Sequence, residues 1–140
     1  MIPEKIGFIG LGHIGGSVAK TGHRIYPDIQ IVAYDTCRAT LDTALQEGVI
    51  SEALDQVGKG FSDCNYIYLC APVLDNADYV RELSGILHDD MLLTDVGSVK
   101  TGIHEQIQKF PDLERHFIGG HPMCGTEHVG YEYSTAYMLE

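Results

Sequence analysis

Lys5-Ile6-Gly7-Phe8-Ile9-Gly10-Leu11-Gly12-His13-Ile14-Gly15-Gly16 passes from an apolar run through three spaced glycines into a helical pattern. It reads as a strand, a tight loop and a helix start. Gly10, Gly12 and Gly15 fit GxGxxG: the first permits the turn, the second lets backbone approach a pyrophosphate, and the third lets helix pack on strand. The helix that follows points unpaired N–H groups and its positive dipole end at the loop. An anion there is held by backbone, and no basic side chain is required.

Working outward, Ile29-Gln30-Ile31-Val32-Ala33-Tyr34-Asp35 reads as a second strand ending in a carboxylate, and Asp35 falls twenty residues after Gly15. That is the place of a ribose-binding acid in a dinucleotide site. A carboxylate accepts both ribose hydroxyls and repels a 2′-phosphate, so Asp35 favours NAD over NADP. Capping of the next helix, from Thr36 onward, is the alternative job for Asp35. Arg38, three residues on, is of a type that stacks on adenine or binds phosphate, so NADP is disfavoured without being excluded.

The remaining chain alternates strands and helices. Thr40–Gln46 is an expected helix closed by Gly48, Val49 and Ile50 an expected short third strand, and 51–60 one or two helical turns. Asn65–Ala71 is a short apolar run with the signature of a strand covered on both faces, and is expected to be central. Leu74–His88 has the spacing of an amphipathic helix, Met91–Val96 of a strand, Val99–Phe110 of a helix and His116–Gly119 of a last strand. The sum implies an α/β fold with a doubly wound parallel sheet, one domain over residues 1–140.

Composition narrows the partners. A 140-residue chain with 44% hydrophobic residues supports one globular core. A net charge of −11 with nine basic residues argues against nucleic acid or an anionic membrane surface. The four cysteines form no CxxC pair, and no basic segment with an apolar signal region or long apolar run is present, so a cytoplasmic protein with reduced thiols is expected.

In an open parallel sheet the ligand crevice lies outside the carboxyl ends of the strands, which singles out three turns: Ala71-Pro72-Val73, Asp95–Lys100 and Gly119–Met123. The loop residues Gly10, Leu11, Gly12, His13, Ile14 and Gly15, with Asp35, Ala71, Pro72, Gly97 and Ser98, form the expected cofactor set. Ser98 and His121 fall near the reactive ring. Ser98 as a helix cap and His121 as a solvated loop histidine are the plainer readings. His121, Cys124, Glu127 and His128 carry zinc-ligand chemistry within eight residues, but their spacing matches neither CxxC nor HExxH, and no metal is expected. The other histidines read as surface or structural, with His13 close enough in sequence to touch a cofactor.

Three segments together resemble the prephenate dehydrogenase family, which includes arogenate dehydrogenases: the opening Gly7–Ser17, then Thr94-Asp95-Val96-Gly97-Ser98-Val99-Lys100, then Gly119-Gly120-His121-Pro122-Met123-Cys124-Gly125-Thr126-Glu127. The resemblance implies a Rossmann-type domain and NAD-linked oxidative decarboxylation of prephenate to 4-hydroxyphenylpyruvate in tyrosine biosynthesis. It implies His121 as the group accepting a hydrogen bond from the substrate's ring hydroxyl, Ser98 as a holder of that hydroxyl and the nicotinamide, and Gly120, Thr126 and Glu127 near the substrate. Family members continue into a helical domain that supplies the dimer interface and a cation for the substrate carboxylates; residues 131–140 carry no Arg or Lys. These 140 residues are therefore expected to be the cofactor-binding part of a homodimeric enzyme, inactive alone. A non-catalytic NAD sensor and a β-hydroxyacid dehydrogenase relative remain alternatives, the latter without its usual catalytic lysine context.

Overall fold

The computed structural model describes residues 4–70, 76–95, 105, 107–118 and 131. Lys5–Ile9 forms β1, His13–Ile25 α1, Gln30–Tyr34 β2, Arg38–Gln46 α2 and Glu52–Ala53 β3. A 3-10 turn at Lys59–Phe61 precedes β4 (Tyr66–Leu69), α3 (Asn76–Ser84), β5 (Leu92–Asp95), a short α4 (Pro111–Glu114) and β6 (Phe117–Ile118). The six strands form one sheet in the order β3-β2-β1-β4-β5-β6. Every pairing is parallel, with Ile9 beside Tyr34 on one flank and beside Leu69 on the other. The expected doubly wound α/β architecture is thus observed, with β1 and β4 at the centre.

Period-2 alternation divides the apolar side chains between two faces. Ile6, Phe8, Ile31 and Ala33 point to the layer of α1 and α2, where they meet Ala19, Leu41 and Ala44. Ile9, Val32, Ile67, Leu69 and Leu93 point the other way, onto Phe61, Val80, Leu83 and Leu113. Such two-sided burial is what continuous apolar strands require. Gly7 is small for a packing reason: a Cβ there would lie 2.5 Å from the fully buried Phe61 ring.

Several boundaries differ from the sequence reading. Val49 and Ile50 are buried but precede the third strand, which forms at Glu52–Ala53 because Val32 and Ala33 of β2 set that register. Residues 51–60 hold this strand and the start of the 3-10 turn instead of α-helical turns, with Gly58 and Gly60 breaking any longer run. The third helix stops at Ser84, and Ile86 and Leu87 pack from the following turn. Helix α4 was not anticipated; Pro111 at its first position starts it, after a bend at Phe110. Most of the expected 99–110 helix lies outside the described residues.

Two partly buried histidines bond to backbone carbonyls. His88 Nε2 donates to the Cys64 carbonyl (3.0 Å) and His116 Nδ1 to the Met91 carbonyl (2.8 Å), so both histidines are structural, as expected. Burial pushes the Cys64 thiol up to about 12. At the amino end of the sheet Lys5 Nζ lies 2.7 Å from Asp63 Oδ1, and this partner holds the Asp63 carboxyl below its ordinary value. A lowered folded-state value stabilises above the ordinary carboxylate range and loses that contribution as pH falls through the lowered value. The Asp63 side chain is 69% exposed. Asp63→Asn is therefore expected to cost under about 1 kcal/mol at neutral pH, with the difference from the parent vanishing in acid, as read by urea denaturation at several pH values.

Candidate functional site

The carboxyl ends of β1, β2 and β4 meet around the glycine turn. Gly10 has φ +100°, a region that disfavours any side chain, and its N–H donates to the Tyr34 carbonyl at 2.8 Å. Cys70, just past β4, donates its N–H to the Ile9 carbonyl at 2.8 Å, which locks the turn from the other flank. A Cβ on Gly15 would sit 2.6 Å from the Gly10 carbonyl oxygen and 3.0 Å from the Cys70 Cβ, so α1 lies directly on the turn. A Cβ on Gly12 would meet nothing within 4 Å among the described residues. The three glycines therefore do three different jobs, and Gly12 borders the open side.

Gly12 is also the N-cap of α1. Among the described residues no side chain caps it, and the first turn of α1 contains no acidic residue. Its positive end is left for an anion other than a side chain of its own turn. Further in, Ser17 Oγ donates to the His13 carbonyl at 2.7 Å, and His13 is buried rather than surface-exposed, with 7% of its area accessible.

Asp35, one residue beyond β2, joins the second strand to the loop. Its Oδ2 accepts the Leu11 N–H and its Oδ1 the Cys37 N–H, each at 2.8 Å. Leu11 thus shapes the loop through its amide, and its side chain is fully buried. The bond to Cys37 serves the turn into α2, whose N-cap is Cys37 and not Asp35. Each carboxylate oxygen still has a second lone pair, so a half-buried Asp35 retains room for two hydroxyl donors. Asp35→Ala removes the acceptor from two amides and from any ribose; it is expected to weaken nucleotide binding by roughly tenfold and to lower stability by about 1–2 kcal/mol. Paired titration and thermal unfolding of the variant check both.

Two features of this end were not evident in the sequence. Asp95, at the end of β5, is 2% exposed; with burial as the larger cause, its charge holds the Cys70 thiol well above the ordinary range. Arg38 is held by two carboxylates, Nε to Asp42 Oδ1 and Nη1 to Asp55 Oδ1, both at 3.2 Å. Only the Asp42 partner, four residues on, has a sequence signature.

Ala71, Pro72, Gly97, Ser98, Gly120, His121, Thr126 and Glu127 lie outside the described residues, as do Cys124 and His128 of the rejected zinc set. Among the described residues no group of three His, Cys, Asp or Glu side chains is arranged to hold a metal, and no helix is long and apolar enough to cross a membrane. A cavity of about 660 Å³ between Lys5, Tyr26, Gln30 and Asp63 opens at the amino ends of the strands. It is at the wrong end of the sheet for the glycine turn, and its lining includes the acidic Glu4, Asp28 and Asp63.

The site fits a dinucleotide on structural grounds: an uncapped helix end, an open Gly12 and an acid braced against the same loop. Comparison with known proteins agrees. The chain is 32% identical over 139 residues to prephenate dehydrogenase of Bacillus subtilis, covering 98% of itself and 37% of that protein. The structure of A. aeolicus prephenate dehydrogenase in complex with hydroxyphenyl propionate and NAD+ superposes with a TM-score of 0.86 at 30% identity, over all of this chain and 49% of that one. Synechocystis arogenate dehydrogenase superposes with a TM-score of 0.80 at 30% identity, over 94% of this chain and 45% of that one. The chain thus spans between a third and a half of the length of these relatives. A family model described as "Prephenate dehydrogenase, nucleotide-binding domain" matches residues 18–140, and the chain belongs to that family.

Proposed function

We propose that this chain binds NAD across the carboxyl edge of its sheet, and that the protein carrying it converts prephenate to 4-hydroxyphenylpyruvate by oxidative decarboxylation in tyrosine biosynthesis. The observation that carries the binding is Asp35, whose carboxylate reaches back to the Leu11 amide and so unites ribose recognition with the phosphate turn. The diphosphate rests on the backbone from Gly12 to Ile14, at the uncapped start of α1. NADP is disfavoured by Asp35.

NAD supplies the hydride acceptor. His121, as a neutral imidazole near pH 7, takes the proton of the ring hydroxyl as positive charge grows on the carbon that bears it. Ser98 orients that hydroxyl against the nicotinamide, with Ala71, Pro72 and Gly97 along the cofactor. Gly120, Thr126 and Glu127 border the substrate. Loss of carbon dioxide then makes the ring aromatic, a step that asks nothing of a metal.

Prephenate carries two carboxylates, and the reading assigns their cationic partner to a helical domain of the complete enzyme, which also forms a homodimer in the cytoplasm. The chain's coverage of 37% of the Bacillus relative supports that assignment. The test is titration of the protein with NADH, followed by assay of prephenate-dependent NADH formation in the complete enzyme. Saturable NADH binding with carbon dioxide released in step with NADH is expected; binding without prephenate oxidation leaves a sensor module, and no binding overturns the reading.

A further inference from the structure

The adenosine end of the proposed groove holds a second discriminating device besides Asp35. Asp35 leaves β2 three residues before Arg38 opens α2. Beside it, the Leu54 N–H donates to the Ala33 carbonyl at 2.8 Å, continuing the Ala33–Ala53 register. In this register Asp55 lies two residues beyond β3, level along the sheet with Asp35, which is two residues beyond Ala33. Asp55 and Asp42 then grip the Arg38 guanidinium from two directions, through Nη1 and Nε, both at 3.2 Å.

The arrangement matters because arginine is the residue suited to a phosphate, presenting five N–H groups in a planar fork. A basic residue shortly after the second strand is where a dinucleotide site would receive a 2′-phosphate. Here that cation is half exposed, yet two of its donor positions already face carboxylates. Exposed pairs of this kind add little to stability. What they do is aim the guanidinium and set the local charge, which with Asp35 is three carboxylates against one arginine.

The geometry points to Arg38 as a cation withheld from the cofactor: Asp42 and Asp55 tether it, so the groove refuses a 2′-phosphorylated adenine dinucleotide through two carboxylates in addition to Asp35. A 2′-phosphate brings one to two further negative charges to an edge that is already anionic. A free 2′-hydroxyl meets no such barrier. The inference rests on the nucleotide-binding reading above and names two residues, outside the ribose acid, that set its cofactor preference.

The experiment is titration of NADH and NADPH, by nucleotide fluorescence, into the protein, into D42A/D55A and into D42A/D55A/R38A. Both aspartates are exposed, and thermal unfolding verifies that the variants fold. Freeing Arg38 is expected to lower the NADPH-to-NADH ratio of Kd values by roughly tenfold, the gain of one charge-assisted pair, and the gain should fade at high salt. Adding R38A should restore the original ratio. An unchanged ratio in D42A/D55A, or a gain that survives R38A, overturns the inference. Absence of saturable NADH binding by the unsubstituted protein overturns the nucleotide-binding reading itself, and this one with it.

Discussion

Replacing His121 with Asn in the complete enzyme is expected to lower kcat for prephenate by roughly 10²- to 10⁴-fold, the usual contribution of a positioned general base. The Kd for NAD should barely move, because the amide side chain removes the proton acceptor without touching the glycine turn. A neutral imidazole is required, so kcat/KM of the parent should fall on the acid side as the ring takes up its own proton, and the variant should lose that limb. Steady-state kinetics across pH, paired with NADH titration, separate the outcomes. A variant that keeps its turnover would show that His121 is not the group that takes the proton.

The second large effect divides the glycines by their surroundings. Gly15→Ala places a Cβ 2.6 Å from the Gly10 carbonyl oxygen and against Cys70, neither of which is the end of a flexible chain. Either α1 lifts from the turn or the turn opens; an overpacking cost of about 2 kcal/mol and a loss of nucleotide affinity of thirtyfold or more are expected together. Gly12→Ala behaves differently. Its backbone, at φ −72°, suits alanine and the added carbon meets nothing, so the fold should be as stable as the parent. Its nucleotide affinity should nevertheless fall as far, since the carbon stands where the diphosphate approaches. Thermal unfolding and NADH titration of both variants test this; equal melting temperatures, or full affinity in Gly12→Ala, would contradict it.

What the sequence disclosed depended on distance along the chain. The turn Gly10–Gly15 and the acid Asp35 were legible because each glycine answers a local demand of backbone conformation or close approach, and the spacing to the second strand is set by one helix. The central place of the strand at Tyr66–Leu69 followed from its continuous apolar run. The third strand reads three residues early in the sequence because apolarity marks Val49 and Ile50 as buried, whereas hydrogen bonding to β2 decides which residues form the ladder. Likewise the Asp42 partner of Arg38 has a helical signature, but Asp55, seventeen residues away, reaches it only through the fold. The bond from Tyr131 to Glu47, with Lys20 over the same ring, links residues as much as 84 and 111 positions apart and has no local sign; burial and that carboxylate together raise the Tyr131 hydroxyl above its ordinary value.

The central claim is that a dinucleotide lies over the carboxyl ends of the strands with its diphosphate on main-chain amides at the start of α1. A crystal structure of the protein grown with NAD measures this most directly. The account predicts phosphate oxygens within hydrogen-bonding distance of backbone N–H groups between Gly12 and Ile14, and ribose hydroxyls on Asp35. A nucleotide seated instead in the cavity beside Lys5 and Tyr26, at the opposite end of the sheet, would contradict it.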